Sequence, residues 1–111
     1  MYRSNEAIIK EKHPLRTSKM VKNLYIMWQK ETKLLSSSEM FKNKNYLQII
    51  SIGKPALPTL FKLLNNSSTL LFLALYKITG INPVREENHG NIPAMVADWK
   101  NWWRNSKENY E

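Results

Sequence analysis

Glycine and proline are sparse in this chain, and the segments between them have the length of helices. Only three glycines and five prolines occur in 111 residues. The segments also carry apolar residues at the three- and four-residue spacing of amphipathic helices, as in "SKMVKNLYIMWQKETKLL" at residues 18–35. The pattern predicts an all-α fold with about 5 helices.

The length predicts one domain over residues 1–111. Residues 1–17 are expected to be a weakly ordered N-terminal arm or to hold a short helix over residues 4–12. That helix should stop at His13-Pro14, because the residue before a proline is pushed out of the helical region. Residues 106–111 are expected to be a frayed tail.

Caps and helix breakers predict the remaining boundaries. A helix should begin at one of Ser36–Ser38, pause near residues 42–45 and end at Gly53. Pro55 and Pro58 suit the first turn of the next helix. The later helices should run from Ser67 or Ser68 to Gly80, and from Asn91 to about Ser106.

The helix at residues 18–35 has two contrasting faces. Its apolar face is predicted to hold Met20, Val21, Leu24, Trp28 and Leu35. Four lysines lie on the opposite face, namely Lys19, Lys22, Lys30 and Lys33. Two more lysines beyond the helix, Lys42 and Lys44, would extend this row. These lysines are either a stripe that contacts a phosphate backbone or the solvated face of a surface helix.

The charge of the chain is uneven. The formal net charge is +8, and residues 1–62 carry all of it, because residues 63–111 have equal numbers of acidic and basic side chains. Such asymmetry suggests an acidic partner for the N-terminal half, which could be nucleic acid, an anionic membrane or an acidic protein. The 13 lysines and 12 asparagines are also what an AT-rich genome encodes without selection for binding.

Several classes of protein are not expected. The absence of cysteine excludes disulfide frameworks and thiolate metal sites. The N-terminus lacks the apolar region of a signal peptide. The longest apolar run, "LLFLAL" at residues 70–75, is far shorter than the roughly 20 residues that span a bilayer. We therefore expect a cytoplasmic protein with no membrane partner and no cofactor.

The segment "ITGINPVREENHGN" at residues 78–91 is rich in residues found at active sites. Most of them have structural explanations as caps and turns, which leaves Arg85, Glu86, Glu87 and His89. Adjacent loop residues rarely converge on one metal ion. We expect a connector whose tip contacts a partner, with no catalytic or metal-binding residue.

The last predicted helix, "NIPAMVADWKNWWRNS", is rich in tryptophan. Met95, Val96, Trp99, Trp102 and Trp103 share one face of it. The tryptophans are either core residues or a surface that stacks bases or anchors a partner. Trp103 is our candidate if one of them has a binding role.

The stretch "IISIGKPALPTLFKLLNNSSTLLFLALYKITG" resembles a HEAT-like repeat, a pair of antiparallel helices stacked on its neighbour. Residues 43–66 would form one repeat and residues 68–80 would open the next. The motif "ALYKITGINPV…HGN…W..W" is also similar to a group of short uncharacterised bacterial proteins. The resemblance implies a helical stack of the kind that usually serves as a protein-binding scaffold.

Two functions follow as hypotheses. The first is a non-enzymatic protein-interaction module, such as an adaptor, inhibitor or antitoxin-like partner. The alternative is a nucleic-acid-binding protein that uses the basic helix face. A homodimer is also considered, in which a second copy covers the apolar helix at residues 70–78. The candidate contact residues are Lys19, Lys22, Lys30, Lys33, Lys42, Lys44, Arg85, His89 and Trp103.

Overall fold

A long N-terminal helix forms one side of the protein. The computed structural model describes the backbone of residues 2–66, 68 and 70–109, and their side chains from residue 16 onward except that of Ser37. Helix α1 (Tyr2–Thr32) passes through His13-Pro14, so the predicted stop is wrong. An interior proline removes one hydrogen bond without forbidding a helix, and both flanking segments favour helix. Weak order over residues 1–17 stays a prediction.

Two helices follow α1 where the sequence predicts one helix with a pause. Helix α2 (Ser37–Met40) is a single turn, and α3 (Lys44–Ile52) begins after Asn43. The side chain of Asn43 accepts a hydrogen bond from the backbone N–H of Asn45 at 2.9 Å, which satisfies a free donor of the first turn. Gly53 ends α3 with a φ of 78°, as predicted.

The central helices α4 (Leu57–Leu63) and α5 (Leu71–Thr79) contact each other and the first part of the fold. A 3-10 turn at Lys54–Ala56 leads into α4, and prolines occupy the first turns as expected. Gly80 ends α5 in the left-handed conformation, also as expected.

The predicted serine cap of α5 is wrong for Ser68, and Ser67 lies outside the described residues. Helix α5 begins three residues after Ser68. The hydroxyl of Ser68 therefore forms its hydrogen bonds with the preceding turn instead of with α5. It donates to the carbonyl of Leu63 and accepts from the N–H of Asn65. Ser68 therefore closes the end of α4.

The C-terminal helix α6 (Ile92–Ser106) is capped by Asn91, whose side chain accepts from the N–H of Ala94. A 3-10 turn at Glu86–Asn88 precedes it, and another follows at Lys107–Asn109. Residues 110–111 of the predicted frayed tail lie outside the described residues.

The fold class is all-α, as predicted, with six α-helices in the described chain instead of about five. The main core draws buried residues from α1, α3, α4, α5 and α6. A second cluster forms around Trp28 of α1, Tyr46 of α3 and Ala74 of α5. None of the described helices is both long enough and apolar enough to cross a membrane.

The apolar face of α1 is only partly as predicted. Val21, Leu24 and Trp28 are buried, whereas Met20 and Leu35 are 43% and 47% exposed. The buried face is rotated toward Thr32, which is fully buried and donates its hydroxyl hydrogen to the Trp28 carbonyl. The rotation follows from packing, because α3 and α4 both contact α1 on this side.

Candidate binding surfaces

The four lysines predicted on one helix face are all exposed, although α1 ends at Thr32 and Lys33 lies in the turn after it. We call Lys19, Lys22, Lys30 and Lys33 the lysine row. No carboxylate of a described side chain lies within 4.0 Å of any of them. The row therefore presents its positive charge to solvent, which fits both interpretations given by the sequence.

The two further lysines, Lys42 and Lys44, are exposed as well, and Lys44 is the first residue of α3. Hydrogen bonds from Asn43 and Asn45, with a smaller contribution from the charge of Lys44, hold the pKa of Glu31 below its ordinary value. Lys44 therefore lies near the last turn of α1, where Glu31 is located.

Exposed aliphatic residues line the other half of the solvent face of α1. Met20 and Met27 are 43% and 45% exposed, and Leu34, in the turn after α1, is 95% exposed. Met20 and Met27 are seven positions apart, which is close to two helical turns, so they lie on one side of α1, and Leu34 follows after another seven positions. We call Met20, Met27 and Leu34 the aliphatic stripe. Helical spacing predicted Met20 to be a core residue, although the seven-residue spacing of the stripe was visible in the sequence.

Charged residues border the aliphatic stripe. Arg16 lies four positions before Met20, and Lys30 lies three positions after Met27, so each neighbours the stripe on the surface of α1. Both are exposed. Glu31, four positions after Met27, is also exposed, and its carboxylate keeps its negative charge while accepting hydrogen bonds from two asparagines. Two of the three charges beside the stripe are therefore positive.

A groove of about 460 Å³ opens beside the C-terminal part of the lysine row. Lys30 and Lys33 contribute to its lining, and the hydrogen bond from Trp28 Nε1 to the Met40 carbonyl, 2.8 Å long, fixes one wall. The remaining lining residues are Tyr25, Gln29, Ser68 and Leu70.

The loop at residues 81–91 is tied to α6 by Asp98. Its carboxylate accepts from the Asn88 amide at 2.8 Å and from the backbone N–H of Arg85 at 3.0 Å, and it pairs with the Arg85 guanidinium at 3.5 Å. These contacts hold the pKa of Asp98 below its ordinary value. The hydrogen bond from Asn88 has the largest effect, and the contacts with Arg85 follow. Arg85 therefore has a structural contact that the sequence analysis did not assign.

The other polar residues at the tip of this loop face solvent. Glu87 lies 3.8 Å from Arg85 across an exposed ion pair, and Glu86 and His89 are exposed. Within the described residues, no group of three or more His, Asp or Glu side chains could hold a metal ion.

The tryptophans of α6 form an aromatic cluster with Phe61 of α4. Trp99 is buried, and Trp102 and Trp103 are half-buried. The rings of Trp103 and Phe61 are stacked, with centroids 4.7 Å apart and planes 8° apart. Trp103 thus contributes to packing and also reaches the surface.

Part of helix α5 is buried against other helices of the same chain. Leu71, Ala74 and Leu75 are fully buried, and Tyr76 is about half exposed. Leu70, Phe72, Leu73 and Ile78 are partly buried, and a homodimer at residues 70–78 stays a prediction.

No family model, curated protein or solved structure matches this chain.

Proposed function

We propose that the protein is a non-enzymatic interaction module that binds an acidic amphipathic helix of another protein through the solvent face of α1. The observation that carries the proposal is the concentration of exposed apolar side chains on α1 and in the turn that follows it. Five of the eight large apolar residues exposed in the described chain lie between residues 20 and 35. Such patches commonly mark interaction sites. Those five are Met20, Ile26, Met27, Leu34 and Leu35.

The spacing of the aliphatic stripe supports a helical partner. A second helix packs along a row that repeats every seven residues, because that repeat keeps the apolar seam in contact. Methionine suits such a surface, since its unbranched side chain adapts to different neighbours.

The charge beside the stripe supports an acidic partner. Arg16 and Lys30 would face carboxylates flanking the apolar row of the partner helix, and the lysine row would attract the same partner from a distance. A second copy of this chain would bring like charges together instead, at a net charge of +8 per chain. A heterologous acidic helix therefore fits this face better than self-association.

The nucleic-acid alternative for this face has less support. The lysine row includes the exposed Ile26 between its members, and the neighbouring stripe is aliphatic. Neither would contact a phosphate backbone favourably, and the stripe would stay in water.

A cytoplasmic location and a HEAT-like repeat over residues 43–66 remain part of the proposal. The lack of cysteine supports the cytoplasmic location.

Site-specific photo-crosslinking in the native cells tests the proposal. A benzophenone amino acid is placed at Met27, or at the exposed Ala97 of α6 as a control position. We expect a discrete adduct from position 27 but not from 97, with the crosslink mapping to an acidic amphipathic helix. The reversal Lys30→Glu should remove the adduct, whereas Lys77→Glu, at an exposed lysine of α5, should not.

Three results would contradict the proposal. They are equal labelling from positions 27 and 97, an adduct consisting of two copies of this chain, and an adduct that withstands Lys30→Glu in a folded protein.

A further inference from the structure

A second surface, remote from the α1 face in sequence, combines aromatic rings with positive charge. A groove of about 430 Å³ lies between α4 and α6, which is within the size range of small-ligand sites. Four of its seven lining residues are cationic and none is acidic. We call it the C-terminal groove, and it is lined by Pro58, Phe61, Lys62, Lys100, Trp103, Arg104 and Lys107.

The aromatic wall of the groove is held rigidly. The stacked rings of Trp103 and Phe61 join α6 to α4. Phe61 also contacts Trp99 and Trp102, with ring centroids 6.2 and 6.1 Å away. Phe61 is buried, so the half-buried Trp103 presents its indole at the groove. Phe61 covers one face of the Trp103 ring, so a ligand in the groove would meet the remaining accessible part of an indole that folding has already ordered.

The charges are concentrated on one face of α6. Lys100 and Arg104 are four positions apart, and Lys107 follows after three, so the three cations are neighbours that repel each other. Lys62 joins them from α4. All four are exposed, and no carboxylate of a described side chain lies within 4.0 Å of any of them. Their mutual repulsion would be relieved by a bound polyanion.

We propose that the C-terminal groove binds single-stranded nucleic acid, with phosphates contacting Lys62, Lys100, Arg104 and Lys107 and a base against the accessible part of Trp103. This combination of a basic groove and an aromatic ring suits an unpaired strand, because only an unstacked base can lie on the indole. A duplex would offer its phosphates and keep its bases stacked. The proposal differs from the lysine-row hypothesis in its residues and in requiring an unpaired strand.

Fluorescence anisotropy with a fluorescein-labelled oligothymidylate tests the site, using the full chain at low salt. The paired reversal Lys100→Glu with Arg104→Glu is compared with Lys22→Glu with Lys33→Glu, which lowers the net charge by the same amount in the lysine row. We expect the first pair to weaken binding at least about tenfold and the second less than about threefold, since only the first removes phosphate contacts. Equal losses from both pairs, or no binding by the unmodified chain, would overturn the proposal.

Salt dependence and a Trp103 variant test the two parts of the contact separately. Four phosphate contacts predict a slope of log affinity against log salt near −3, falling by about half in the Lys100→Glu, Arg104→Glu protein. Trp103→Leu should weaken binding about fivefold or more if a base stacks there. Circular dichroism must show that this variant is folded. Unchanged affinity in a folded Trp103→Leu protein, or equal affinity for a duplex, would overturn the assignment to an unpaired strand.

Discussion

Trp28 and Trp103 have the same side chain in two different settings. Trp28 is 2% exposed, its ring lies 4.8 Å from that of Tyr46, and its Nε1 donates to the Met40 carbonyl. Trp103 stacks on Phe61 but stays half-buried beside four cations. The neighbours of a tryptophan, rather than its presence, separate a structural role from a binding role.

The largest effect should come from truncating the enclosed ring. Trp28→Ala removes a buried indole and leaves a cavity, so the free energy of unfolding should fall by about 3–5 kcal/mol. Trp103→Ala should cost clearly less, because part of that ring already contacts water. Urea unfolding followed by far-UV circular dichroism measures both. Equal losses would mean that Trp103 is an ordinary core residue.

A smaller effect is expected at Tyr46, which completes the cluster around Trp28. Its hydroxyl donates to the Leu70 carbonyl at 2.8 Å, so Tyr46→Phe should cost about 1 kcal/mol. Tyr76→Phe is the matched control at an exposed position and should change the free energy of unfolding by less than about 0.5 kcal/mol. If the two substitutions lower the free energy of unfolding equally in urea titrations, the hydrogen bond to Leu70 does not stabilise the fold.

The same tyrosine should make the protein sensitive to alkali. Burial raises the pKa of Tyr46 above its ordinary value of 10.0. Above that pH the unfolded chain ionises while the folded chain stays neutral, so stability is lost as pH rises. The urea midpoint should fall above about pH 10, and it should fall less in Tyr46→Phe. An identical decline in both proteins would contradict this assignment.

The smallest effect concerns the loop that Asp98 ties to α6. The pKa of Asp98 is lowered by its contacts with Asn88 and Arg85, so its contribution is present above the unfolded pKa and lost as pH falls below about 4. Asp98→Asn should therefore lose less of its urea midpoint between pH 5 and pH 3 than the unmodified chain. A steeper acid loss in Asp98→Asn would be inconsistent with these contacts.

Local signals in the sequence predicted the helix ends well. Gly53, Gly80 and Asn91 have the predicted roles because each acts through its own backbone or side chain within one turn. Ser68 and Pro14 do not have their predicted roles, because several backbone arrangements are locally allowed at each position. Packing of the whole chain selects among these arrangements.

The binding surfaces were harder to predict. The rotation of the buried face of α1 depends on where α3 and α4 pack, so Met20 was assigned to the core. The C-terminal groove joins Lys62 to residues of α6 that are distant in sequence, and no local pattern connects them. The exposure of the lysine row was predictable because helical spacing alone sets it.

The central claim is that the chain carries two separate surfaces with different ligands. NMR titration of the ¹⁵N-labelled protein with an acidic amphipathic helical peptide, and separately with an oligothymidylate, tests it most directly. We predict that the peptide shifts amide signals between residues 16 and 35, and that the oligonucleotide shifts those at residues 58–62 and 100–107. Shifts from both ligands on the same residues, or none on α1 with the peptide, would contradict the account.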